Sequence, residues 1–167
     1  MSAFGRAVGA ALLGMAAAGC VLWRSGGPRA VPGTLMVNAP VDARWTETTR
    51  EAAATPRQRQ VLRGARPKTI VGEVVDVSCY LQLGKRGESH IPCGQQCIRH
   101  GQPIGVITDS GKLYLIIPEE HHPRRDGEID IRERFAELVG KRINISGMAT
   151  TYHASRALFV RSVPTER

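Results

Sequence analysis

Three cysteines and two histidines fall within one short stretch of the chain: Cys79, His90, Cys93, Cys97 and His100. Thiolate and imidazole together are ligands for zinc, copper or iron. Cys93 and Cys97 are four residues apart, with His90 three before the first and His100 three after the second. On a helix these four positions span an arc of roughly 80°, so one face could present them all. With Cys79 arriving from the end of a preceding strand, the two helical thiols form a claw for a tetrahedral or trigonal ion. His90 is the expected fourth ligand, with His100 or His153 as substitutes. The expected cofactor is a thiophilic metal ion, copper or zinc. Three thiolates suit Cu(I), and a set of three cysteines and a histidine suits Zn(II) equally.

The same residues admit other chemistry. A disulfide from Cys79 to Cys93 or Cys97 would close a loop of about 15 residues and add roughly 3 kcal/mol of stability. The third cysteine would then pack as a small apolar side chain. That reading gives a disulfide-stapled module binding an envelope protein. Cys93 and Cys97 could instead form a redox pair. Their C-x3-C spacing resembles the motif of the exported copper chaperones that serve cytochrome oxidase. It also resembles the oxidase's dinuclear copper site, where a histidine follows the pair. His100 comes one residue early for that pattern, and no βαβ unit of the thioredoxin kind surrounds the pair. A Cys93–Cys97 bond within a regular helix would also be strained, because the Cβ vectors are nearly parallel. Covalent haem attachment needs C-x-x-C-H, which the sequence lacks.

The elements that must position these residues are legible as periodicity. Thr69 to Val77 is β-branched and partly alternating, a strand with Gly72 as a bulge or bend. Glu88 to Cys93 reads as the start of a helix that runs to Arg99 or His100 and stops at Gly101. Gly94 weakens this helix by about 1 kcal/mol relative to alanine, so its order depends on packing or on a ligand. Ile104 to Thr108 and Lys112 to Ile117 are strands joined by the turn Asp109-Ser110-Gly111. Asp130 and Glu133 have the spacing of a capping box. Ile131, Phe135, Leu138 and Val139 share a helix face, and Gly140 ends the helix. Arg142 to Thr151 and Ala157 to Val163 form a final strand pair around the turn Tyr152 to Arg156.

Strand, cysteine segment, hairpin, helix and strand pair predict a mainly β fold with helices. The expected architecture is a five-stranded OB-fold-like barrel, with a Cys-containing helical insertion between strands 1 and 2. Residues 67–164 make this domain and 165–167 a tail. The domain resembles small exported bacterial OB-fold-like domains with lipoprotein-type signals. An OB-fold implies ligand binding through the loops after its first and fourth strands. The cysteines occupy the first loop and His153 the second, so the analogy brings His153 to the same side of the barrel.

The N-terminus sets the compartment. Arg6 supplies a short positive region, and Ala7 to Ala18 is an apolar run too short and too rich in Gly and Ala for a membrane span. Ala17-Ala18-Gly19-Cys20 resembles a bacterial lipobox, with Ala17 in place of the usual leucine. Residues 1–23 are therefore expected to be a signal peptide or membrane anchor, with Cys20 the lipidated residue. Residues 24–66 read as a flexible Arg/Pro/Gly-rich tether in which Thr55-Pro56 starts a short helix and Gly64 ends it. The domain would then sit at the periplasmic face of a bacterial membrane. Three cysteines would remain in it, an odd number for an oxidising compartment unless a metal holds them.

Charge narrows the partners. The net charge of +8 is concentrated before the domain: residues 1–66 carry nine arginines and three acidic residues, and 67–164 carry thirteen basic and eleven acidic residues. A near-neutral domain lacks the positive groove that nucleic acid requires, so the expected partners are the membrane and an envelope protein. Glu119-Glu120-His121-His122 reads as a polar loop. No Ser-His-Asp order, phosphate loop or paired-carboxylate signature stands out, so the expected role is binding without catalysis.

Overall fold

The computed structural model describes residues 33–38, 42, 44–120, 130–162 and 165. The expected signal segment 1–23, with Cys20, lies outside these residues, as do His121 and His122. In chain order the elements are β1 (Leu35–Met36), α1 (Glu47–Ala52), α2 (Pro56–Gly64) and β2 (Arg66–Asp76). The insertion follows as α3 (Val77–Leu83), a 3-10 turn (Glu88–His90) and α4 (Ile91–Arg99). The chain then continues through β3 (Ile104–Thr108), β4 (Leu113–Pro118), α5 (Arg132–Glu137), β5 (Arg142–Tyr152) and β6 (Ser155–Val160).

Strands β2, β3, β4, β6 and β5 pair in that order, and β5 pairs back onto β2 to close a five-stranded barrel with β1 added at β5. Within the barrel β4 and β6 run parallel, and every other pair is antiparallel. That is the OB-like order expected from the sequence, with a helix between the third and fourth barrel strands. Val74, Val106, Phe135, Leu138, Ile143, Ile145, Leu158 and Val160 fill the core.

Long, curved strands let the barrel close. β2 pairs with β5 from Arg66 to Glu73 and with β3 from Gly72 to Asp76. Gly72 lies where the two ladders overlap: the β3 ladder begins at it and the β5 ladder runs through it in unbroken register, so no bulge forms against β5. A Cβ at this position would collide with the Ile107 carbonyl, which is why the crossing takes a glycine.

Within 24–66, the stretch read as a tether, several elements pack on the barrel. Thr55 and Gln58 cap α2 reciprocally with Pro56 in its first turn, and the helix ends at Gly64, where the sequence places both signals. Trp45 stands edge-on to Phe159 with ring centroids 5.4 Å apart, and its indole N–H donates to the Leu62 carbonyl. Glu119 is fully buried rather than part of a polar loop. It accepts from the Thr46 N–H and the Arg161 Nε, each at 2.7 Å.

Asn38 extends the pairing of β1 by imitating a strand. Its side-chain amide donates to the Ser146 carbonyl at 2.7 Å and its oxygen accepts the Ser146 N–H at 2.8 Å, both buried. Asn38→Ala leaves those backbone groups unpaired and is expected to cost about 1–3 kcal/mol. In urea the midpoint should fall with the slope unchanged; a change below about 0.5 kcal/mol would mean that water replaces the amide without penalty.

Candidate metal centre

The insertion is organised by a carboxylate at the end of β2. Asp76 accepts the N–H groups of Ser78 at 3.0 Å and Cys79 at 3.3 Å, and so caps α3. This cap overrides the β-branched pattern, and the chain turns helical at Val77, where the sequence predicts the end of a strand. Gly84 closes α3 in the left-handed region at φ 66°. Cys79 thus sits in the first turn of α3, beside Asp76. The second half of the insertion forms as expected, with Pro92 in the first turn of α4 and Gly101 beyond its end.

Two sets of donor atoms result. The ligand atoms of Cys79, His90 and Cys93 lie within 4.8 Å of one another, and so do those of Asp76, Cys79 and Cys97. Cys79 belongs to both sets. Depth separates them: Cys93 is exposed, Cys79 and Cys97 are half-buried, and His90 and Asp76 are 4% and 0% exposed. His90 Nε2 is buried without a hydrogen-bond partner. It lies 3.8 Å from Asp76 Oδ2, too far for a hydrogen bond. An imidazole nitrogen left in that condition costs stability until something coordinates it. All three cysteines are free thiols.

Gly94 makes the arrangement possible. A Cβ there would stand 3.4 and 3.5 Å from His90 ring atoms and 2.9 Å from Val139 Cγ1. The glycine that weakens α4 as an isolated helix lets it approach the α5 region and leaves room for the imidazole. Arg99 then forks onto both oxygens of Glu133 at 2.8 to 3.0 Å, joining α4 to α5. Glu133 is therefore not part of the capping box its spacing predicts; Asp130 accepts the Arg132 N–H instead, at 2.9 Å.

Electrostatics keeps the Cys79 and Cys97 thiols protonated while no cation is present. The hydrogen bond to Asp76 pushes Cys79 up to about 12, with burial adding to it. Burial, then the Asp76 charge, raises Cys97. A helix start ordinarily lowers a thiol pKa, but here the carboxylate outweighs it. An activated redox thiol needs the opposite shift. What the cluster can do is exchange thiol protons for a metal cation.

The other expected ligands lie elsewhere. His100 is exposed at the end of α4, its Nδ1 2.7 Å from the Gln96 carbonyl, and it joins neither donor set. His153 occupies the β5–β6 turn, its ring 4.5 Å from that of Tyr152. Along β2, Arg66 pairs with Ala149 near that turn, whereas Asp76 pairs with Ile104 at the cysteine end. Ten residues of β2 separate those two pairings, and His153 joins neither donor set. Asp76 is the donor that the residue spacing does not reveal. Its signal is an aspartate three residues before Cys79, placed to cap a turn.

Comparison with known proteins finds no match: no family model, no curated protein and no solved structure matches this chain. The functional reading therefore rests on the geometry.

Two outcomes test this account of the site. Asp76→Asn keeps a capping side chain but removes the charge, so Cys79 in the reduced, metal-free protein should alkylate faster at pH 8; an unchanged rate would remove Asp76 as the cause. Gly94→Ala should lower the unfolding midpoint, although the same change in an exposed helix gains about 1 kcal/mol. A rise in the midpoint would refute the packing role given to Gly94.

Proposed function

We propose that this protein is an exported, membrane-tethered OB-like protein that binds a thiophilic metal ion, copper or zinc, through its Cys/His insertion, without catalysis. The observation that carries the reading is the convergence of Cys79, His90 and Cys93 within 4.8 Å around a buried imidazole nitrogen that has no partner. Sulfur and imidazole donors select zinc or copper over hard cations. Three protein ligands leave room for a fourth, and Cys97 shares the cluster through Cys79. Export and lipidation at Cys20 rest on the apolar run and the lipobox-like sequence of residues 1–23. An ion would also account for an odd number of cysteines in an oxidising compartment.

The test is metal content and thiol count on one sample of the full-length protein, purified from the membrane fraction without reductant. Bound zinc or copper is expected, with thiols becoming titratable only after denaturation with a chelator. Cys93→Ser and His90→Ala should each lower the metal content, and His100→Ala and His153→Ala should leave it unchanged. A metal-free protein with a disulfide and one free thiol would replace this reading with the stapled interaction module.

A further inference from the structure

The two donor sets differ in more than depth. A single ion bound by protein takes about four ligands, yet five side chains converge here and only Cys79 belongs to both sets. Resting on the metal-binding function above, we propose that the insertion holds two divalent ions of the zinc class bridged by the Cys79 sulfur. His90 and Cys93 complete the outer position, and Asp76 and Cys97 complete the inner one.

Charge favours two ions over one. With both positions filled, three thiolates and the Asp76 carboxylate carry four negative charges. A single ion on Cys79, His90 and Cys93 deprotonates two thiols, and together with Asp76 this leaves one negative charge uncompensated at a carboxylate that is 0% exposed. Two divalent ions bring the cluster to neutrality, the condition under which buried charge is tolerated. Among the described residues, basic side chains near the insertion do not supply the difference. Arg86 pairs with Glu73 and Arg99 with Glu133, and the ion pair made by Asp76, among the described residues, is with His90.

The donor chemistry fits each position. A thiolate sulfur has lone pairs enough for two ions, and each position then has three protein ligands with one site open to water. His90 Nε2, buried and unpartnered, is 3.8 Å from Asp76 Oδ2, too far to satisfy it by a hydrogen bond. The outer position contains the exposed Cys93 and is where an ion would arrive, with the inner position filled from it across Cys79.

The full-length protein, reduced and stripped of metal, is titrated anaerobically with Zn(II) and in parallel with Co(II). Two equivalents should bind. Binding of the second Co(II) should attenuate the paramagnetic resonance signal of the first, because a shared thiolate couples their spins. Asp76→Asn should bind one equivalent and give an uncoupled spectrum, and since asparagine also caps helices, its far-ultraviolet circular dichroism should match the parent. Cys97→Ser should likewise bind one. Saturation at one equivalent, unaltered in Asp76→Asn, would overturn the bridged pair and leave the single-ion function standing. Failure of the parent protein to bind either metal would overturn both. If Cys97→Ser does not fold, the stoichiometry and spin coupling of the parent decide the matter.

Discussion

Everything distinctive in this molecule hangs on the Asp76 carboxylate, sealed from solvent where the barrel's first strand ends. It accepts two backbone N–H groups and so converts a β-strand into a helix at the next residue. A strand that continued would carry Cys79 onward along an extended chain, away from the helix that carries the other thiols. The cap sets Cys79 in the first turn of α3, and the same carboxylate places its charge beside that sulfur. Local hydrogen bonding and site electrostatics are thus one interaction. A residue that merely capped could be asparagine or serine; the charge is what makes the cluster poor as an apo thiol site and receptive to a cation.

The barrel supplies rigidity on either side of that point. α4 is short and carries a glycine, and as an isolated helix it would be marginal. It is held because Ile98 is buried in the common core and Arg99 grips Glu133 on α5. On the opposite flank, Glu119, Arg161 and Thr46 tie the N-terminal segment to the ends of β4 and β6. A buried ion pair of this kind contributes little net stability, but breaking either half is costly, so it fixes where the segment lies.

Much of the fold was legible in the sequence. The OB-like strand order, the capped helix α2 and the buried face of Phe135, Leu138 and Val139 follow from periodicity and from Gly and Pro at element ends. These are local signals, in which each residue's neighbours along the chain decide its conformation. Where local and tertiary preferences conflict, tertiary contacts win. Glu133 abandons its capping box for a bidentate arginine, and Gly94 trades helix propensity for close packing.

The sequence by itself determined which side chains could do chemistry, because thiols and imidazoles three or four residues apart on a helix must share a face. Only the tertiary structure decided which of them meet. It removed His153, since β2 separates the two loops along its length, and it left His100 at the exposed end of α4. It brought in Asp76, whose part in the cluster depends on how α4 packs against the end of β2. Spacing along one helix is fixed by its pitch, whereas proximity between two elements depends on the packing of everything they touch.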